Sequence, residues 1–259
     1  MKTNIPAKLY KYGSIAKPEY LREILLDNKI YCSSPFDFND PFDCRPRVVV
    51  GKTKQELRDS KKVIEGILQK RTTFDRNLRR AQARRLIKKI QESEILTDAY
   101  KSLLSRAGVY CLSAKKDNLL MWAHYGDRHK GFCLEFSTEA EGSFFSIAEE
   151  VQYKPNYPLV KMFTANKLDW GKESFLTKST DWAYEEEWRL TSKEPGHIDF
   201  PPETLVGVIL GCKMLDADRQ QILAWNATRH PSVKIYEAIM HEREFKLQIH
   251  DLQITPEDA

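Results

Sequence analysis

Glycine supplies only 11 of the 259 residues. None falls into G-x-G-x-x-G or G-x-x-x-x-G-K-[S/T] spacing, which excludes a Rossmann dinucleotide fingerprint and a P-loop. H-E-x-x-H and G-x-S-x-G are missing as well, so the common zinc-protease and serine-hydrolase signatures do not apply. No apolar run approaches the roughly 20 residues needed to span a bilayer, and no membrane association is expected. The stretch Met1-Lys2-Thr3-Asn4-Ile5-Pro6 has no apolar h-region, so a secretory signal is not expected either. The five cysteines (Cys32, Cys44, Cys111, Cys133, Cys212) form no CxxC or Cys/His pattern. They read as free thiols in a reducing cytoplasm, with no metal expected.

What is present is a soluble globular composition, 41% apolar and 30% charged, long enough to bury a core. The net charge of +4 hides a strong asymmetry. Between Lys52 and Lys89 stand 14 Lys or Arg against Glu56, Asp59, Glu65 and Asp75, so this segment carries +10 and the remainder −6.

In chain order, Lys8-Leu9-Tyr10-Lys11-Tyr12 alternates as a strand, and Pro18 opens a helix through Asp27. Lys29 to Ser33 reads as a second strand. Residues Ser34 to Asp43 form a proline-rich loop whose phenylalanines should pin it to the core, fixing Asn39, Asp40 and Asp43. From Lys52 to about Arg106 the pattern is helical with a break at Arg71-Thr72-Thr73, a basic insertion (52–106) in an otherwise single α+β domain. This arm could contact nucleic acid or an acidic partner, or simply present a solvated face. Strands resume at Gly108 to Ser113. A short helix through Trp122, His124 and Tyr125, capped by Asp117 and ended by Gly126, leads to the strand Phe132 to Phe136. A strand at Glu149 to Tyr153 and a mostly helical Leu159 to Lys178 follow. The end reads as the buried strand Leu205 to Gly211, a helix from Asp216 to about Thr228, and strands near Val233 to Tyr236 and Phe245 to Ile249. The connections do not make regular βαβ units, which points to an α+β fold with mixed or antiparallel sheets.

The most unusual stretch is Asp181-Trp182-Ala183-Tyr184-Glu185-Glu186-Glu187-Trp188-Arg189-Leu190, three carboxylates among aromatics with an arginine after them. As a strand from Glu185 to Thr191, alternation would put Glu185, Glu187 and Arg189 on one face. Two aligned carboxylates beside an aromatic wall suit a cation, a ribose or a developing positive charge. The same pattern also describes a half-buried edge strand with solvated pairs.

Several pieces together carry a resemblance: Leu9-Tyr10-Lys11-Tyr12, Phe38-Asn39-Asp40-Pro41-Phe42-Asp43, Cys111-Leu112-Ser113, Met121-Trp122-Ala123-His124-Tyr125 and Trp182-Ala183-Tyr184-Glu185-Glu186-Glu187-Trp188-Arg189. They resemble the bacterial domain of unknown function 2971 family over nearly the whole chain, a family whose name implies no activity. More distantly, the motif order resembles the ADP-ribosyltransferase fold. That likeness implies NAD as cofactor, with contacts at Tyr10, Tyr12, Ser113 and Tyr125. It makes Glu187 the catalytic acid and Glu185 its neighbour in the E-x-E pattern, on a protein or nucleic-acid acceptor. Roles in bacterial toxicity or antiphage defence are further implications. Two features depart from the pattern: tyrosines and Lys11 stand where arginine or histidine is usual, and Cys111-Leu112-Ser113 replaces a fuller serine–threonine–serine motif.

Two other readings remain open on the residues. Asp40, Asp43, Glu185 and Glu187 could supply hard oxygen ligands for Mg²⁺ in a nuclease, with Arg189 where a lysine would be expected. Alternatively, the acidic–aromatic face could be a non-enzymatic module for a cationic partner.

Overall fold

A computed structural model describes residues 5–50, 53–91, 100–102, 104–162 and 169–252. Its elements in chain order begin with β1 (Lys8–Gly13), α1 (Pro18–Leu26), β2 (Lys29–Cys32), β3 (Arg47–Val50), α2 (Lys54–Arg71) and α3 (Arg76–Gln91). Next come β4 (Gly108–Ser113), α4 (Leu119–His124), β5 (Phe132–Ser137), β6 (Glu149–Glu150), β7 (Gln152–Lys154), β8 (Leu159–Met162), α5 (Asp169–Phe175) and β9 (Thr177–Ser179). The last are β10 (Glu187–Ser192), β11 (Gly196–Asp199), β12 (Leu205–Leu210), α6 (Asp216–Thr228), β13 (Lys234–Met240) and β14 (Leu247–Asp251). The fold is α+β, as the irregular spacing of strand and helix patterns predicts. The chain divides into two compact units, the first holding the described residues within 1–33, 108–151 and 181–259, the second those within 34–107 and 152–180.

The first unit is built on an eight-stranded sheet in the order β14-β13-β12-β5-β1-β4-β10-β6. Every neighbouring pair is antiparallel except β12 with β13. The alternation in the strands decides what each face does. Leu9, Leu112, Leu134, Phe136, Trp188, Leu190 and Val208 share the larger core with Leu21 and Leu25 of α1 and Ile222 of α6. Tyr10, Tyr12, Cys133 and Ile209 join a second core with Met121 and Trp122 of α4. Trp122 is completely buried. It meets Tyr12 edge-on with ring centroids 5.3 Å apart, and its indole N–H donates to the Lys116 carbonyl at 2.9 Å.

The helix α4 begins one residue later than the sequence suggests, because Asn118 and not Asp117 caps it. Its Oδ1 accepts from the backbone N–H groups of Leu120 and Met121 at 2.9 and 3.2 Å. After the helix, Asp127, Arg128 and His129 all lie in the left-handed region, with φ of 49, 55 and 68°. Such a run is costly without glycine, and the surrounding backbone holds it. The Lys130 N–H donates to the Asp127 carbonyl, the Gly131 N–H to Gly126, and the His129 carbonyl accepts from Lys213. Gly131 permits this closeness, since a Cβ there would overlap the Gly13 carbonyl oxygen.

In the second unit β3 pairs with β8 and β7 with β9, both parallel. The expectation of helix from Leu159 to Lys178 is corrected here. Leu159–Met162 pairs in register with Arg47–Val50 as β8, and only Asp169–Phe175 and the strand Thr177–Ser179 follow; 163–168 lie outside the described residues. The local signal failed because Val160 is fully buried by a strand more than a hundred residues earlier. The basic helices form as expected. Thr53 and Glu56 make a reciprocal capping box at the start of α2, and Ile64, Ala83 and Ile87 join α2 to α3. The part of the expected helical segment at 92–99, and residue 103, lie outside the described residues.

The expectation that the loop phenylalanines pin it to the core is corrected for two of the three, Phe38 being half-buried. Phe36 and Phe42 are exposed, Phe36 beneath the Arg45 guanidinium and Phe42 stacked on Tyr157. Polar groups fix the loop instead. Asp40 accepts from the Phe42 N–H at 2.8 Å, and buried Asp43 accepts from Cys44 N–H at 2.7 Å and lies 3.6 Å from buried Lys178.

Replacing Gly131 with Ala should therefore destabilise the first unit by about 1–3 kcal/mol through overpacking against backbone. Urea unfolding followed by tryptophan fluorescence measures this, and an unchanged midpoint would contradict the packing described.

Candidate functional site

One face of the first unit's sheet carries a row of polar side chains through its centre. Tyr10 on β1 stands opposite Glu135 on β5 and opposite Ser113 on β4. Ser113 stands opposite Glu187 on β10. Residues directly opposite across antiparallel strands project to the same side. Glu135, Tyr10, Ser113 and Glu187 thus lie side by side across four neighbouring strands. Ser113 is fully buried, and Glu135 and Glu187 are 1% and 3% exposed.

Burying carboxylates is expensive unless they are paired and hydrogen-bonded. Arg189, two residues along β10 and on the same face, grips Glu187 with a fork: Nε donates to Oε1 at 2.7 Å and Nη2 to Oε2 at 2.9 Å. At the other end of the row, Lys8 pairs with Glu135. Hydrogen bonding to Glu135 pushes the Lys8 pKa up. Burial first, and then the Glu135 carboxylate, push the Tyr10 phenol far above its ordinary range, so Tyr10 serves as a donor and not as a base.

Glu185 reaches the site by a different route from the one alternation suggests. The strand begins at Glu187, and Glu185 ends a 3-10 turn over Thr180–Glu185. Between them Glu186 takes a left-handed φ of 42° and points outward, 3.6 Å from the Lys115 ammonium. This reversal lets Glu185 and Glu187 both be buried although they do not share one extended strand. Three donors fix the turn. The Asn118 Nδ2 donates to the Tyr184 carbonyl at 2.8 Å, the Ser113 hydroxyl to the Glu185 carbonyl at 2.6 Å, and the Ala114 N–H to the Glu186 carbonyl at 2.9 Å. The Glu185 carboxylate accepts from the Tyr125 hydroxyl at 2.8 Å.

The structure thus gathers Tyr10, Ser113, Tyr125, Glu185, Glu187 and Arg189 in one region of the first unit. Tyr12 is committed to the core, its hydroxyl donating to the Lys115 carbonyl at 2.8 Å. Trp122 packs behind it. His124 is exposed, with its ring 6.5 Å from Trp182 and 6.4 Å from Tyr184. Asn39, Asp40 and Asp43 belong to the second unit. Among the described residues no three His, Cys, Asp or Glu side chains gather as a metal-binding group. Sequence reasoning missed Glu135 and Lys8. The available signal was a lone acid inside the apolar strand Phe132-Cys133-Leu134-Glu135-Phe136, because a charge placed there requires a partner.

Asn118 uses both ends of its amide, Oδ1 for the helix cap and Nδ2 for the Tyr184 carbonyl. Asn118→Asp keeps the cap but loses the donor, and should cost about 1–3 kcal/mol. Thermal unfolding checks this; a variant as stable as the parent would show that the carbonyl does not need Asn118. No curated protein and no solved structure matches the chain. Residues 121–190 match the model for a protein family of unknown function, DUF2971, and this segment holds Trp122, His124, Tyr125, Glu185, Glu187 and Arg189. Over that segment the chain is similar to the DUF2971 family.

Proposed function

We propose that the first unit is an ADP-ribosyltransferase-like enzyme that uses NAD to modify a protein or nucleic-acid acceptor. The observation that carries this reading is the adjacency of Tyr10, Ser113 and Glu187 on three neighbouring strands. The resemblance to that fold assigns its three motifs to these same positions, which supports the reading. The donor set suits a ribose: Glu185 and Glu187 present buried carboxylates, and Tyr10 remains a protonated phenol. NAD supplies a ribose carbon whose bond to nicotinamide breaks as positive charge develops on the ribose, the electron pair leaving with nicotinamide. Glu187, oriented by the Arg189 fork, stabilises that charge. Glu185 takes the proton of the acceptor as its nucleophile bonds to the ribose carbon. Ser113 positions both carboxylates by holding the Glu185 carbonyl. The five cysteines, all unbridged, suit the reducing cytoplasm we propose as its compartment.

In the second unit, α3 offers a basic surface of its own, with seven Lys or Arg and no acid among its 16 residues. Arg84 and Arg85 are exposed on it, and a phosphate backbone complements this charge.

The central test incubates labelled NAD with the protein and protein, DNA or RNA acceptors. Nicotinamide should be released without added metal. Glu187→Gln should lower turnover by about 10²–10⁴-fold with the fold retained by circular dichroism, and Glu185→Gln should do the same for transfer to the acceptor. Absence of NAD turnover with every acceptor class would overturn the reading. So would Mg²⁺-dependent nucleic-acid cleavage silenced by EDTA or by Asp40→Ala, which belongs to a nuclease. A second measurement follows binding to duplex DNA against salt. Arg84→Glu and Arg85→Glu should each lower the magnitude of the log–log salt slope by about 1, and an unchanged slope would remove α3 from the interface.

A further inference from the structure

A cavity of about 510 Å³ lies in the first unit between the β13–β14 connection and the left-handed turn after α4. Its size falls within the range of about 300–1,000 Å³ typical of small-molecule sites. Leu119 and Leu247 supply an apolar floor, and Met240 and Phe245 stand exposed at the rim. Together they offer a flat apolar surface beside the cavity on which a planar ring can lie. The charges around the same cavity are unequal. Lys246 and Glu244 neutralise each other at 2.6 Å, leaving Lys213 and Arg243 against Glu242 alone. His241 accepts the N–H groups of Arg243 and Glu244 on Nδ1, at 3.2 and 3.0 Å, which puts its own proton on Nε2 as a donor.

The remaining wall is His129, the last of the three consecutive left-handed residues. Its ring lies nearly parallel to Trp122, at 11°, and its buried Nδ1 has no hydrogen-bond partner. Burial, with help from Lys213, lowers the His129 pKa, so the imidazole is neutral at pH 7. The carbonyl of this residue accepts from Lys213 N–H, so the strained turn and the cation share one backbone link. Gly211 allows that link, since a Cβ on it would overlap the His129 carbonyl oxygen. A costly conformation so thoroughly held by its neighbours is a common mark of a binding site.

We propose that this cavity binds a small organic phosphate bearing an aromatic ring, of nucleoside monophosphate size. The phosphate meets Lys213, Arg243 and the His241 Nε2–H, and the ring lies on Phe245 and Met240. The site is separate from the carboxylate row and does not depend on the activity proposed for that row.

Isothermal titration of the full chain with AMP, adenosine and inorganic phosphate tests the assignment. AMP should bind more tightly than either fragment. Lys213→Glu with Arg243→Glu should weaken AMP at least tenfold. Phe245→Ala should weaken it about fivefold or more, as loss of a base–aromatic stack does. All three side chains are exposed, so these variants should fold. The same AMP affinity in Glu187→Gln would separate this site from the carboxylate row. No AMP binding at millimolar concentration would overturn the proposal. Phosphate binding as tightly as AMP would overturn it too, as would AMP binding that ignores the cavity variants.

Discussion

Three consecutive backbone carbonyls, those of Tyr184, Glu185 and Glu186, accept hydrogen bonds from Asn118, Ser113 and Ala114, and the whole carboxylate site depends on those bonds. Without them the 3-10 turn would have no reason to stop at Glu185 and reverse at Glu186. Each donor lies on β4 or in the connection to α4, so the turn is tied to an interior strand of the sheet and not to an edge. The left-handed Glu186 is a small local cost that these bonds offset. In return the chain buries two carboxylates separated by one exposed residue, which a regular 3-10 turn or a simple loop would not do.

The Glu187–Arg189 pair has a different standing. Desolvating both groups costs several kcal/mol, and their attraction returns little beyond that even in good fork geometry. An apolar pair would fill the same volume at no loss of stability, so stability alone does not account for the pair. The geometry does what an apolar pair could not, because it fixes the plane of a carboxylate that sits beside Ser113. The same logic applies to Glu135 and Lys8, where a half-exposed ammonium reaches a nearly inaccessible carboxylate. What both pairs supply is a fixed orientation of a buried carboxylate on one face of the sheet.

Much of this was legible in the sequence, for identifiable reasons. β1, α1, β12 and α6 follow from alternation, a proline at the first turn and a buried apolar run, all of them local signals. Ser113, Tyr125, Glu185 and Glu187 were marked by residue type in an odd context. What could not be read was anything decided by a distant partner. β8 depends on Arg47–Val50, Glu135 depends on Lys8 of the neighbouring strand, and the exposure of Phe36 and Phe42 depends on Arg45 and Tyr157. Glu185 illustrates the boundary: its place in the acidic run is plain from the sequence, but strand alternation gives the wrong route for its backbone, because a left-handed glutamate leaves no trace in a pattern of apolar residues.

One short segment couples these features. From Asn118 to Gly131 the chain caps α4, holds the Tyr184 carbonyl, packs Trp122 on Tyr12, donates from Tyr125 to Glu185 and ends in the strained turn at His129. Six helical residues could not stay folded alone, since isolated helices of this length are unstable in water. The segment therefore owes its shape to the contacts it makes on each side. A change that loosens Trp122 would be felt at Tyr125 and Glu185 through one turn of helix, and at His129 through the turn that follows it. The carboxylate row and the cavity beside the β13–β14 connection differ in their side chains, but both are bordered by this one piece of backbone, Tyr125 at one and His129 at the other.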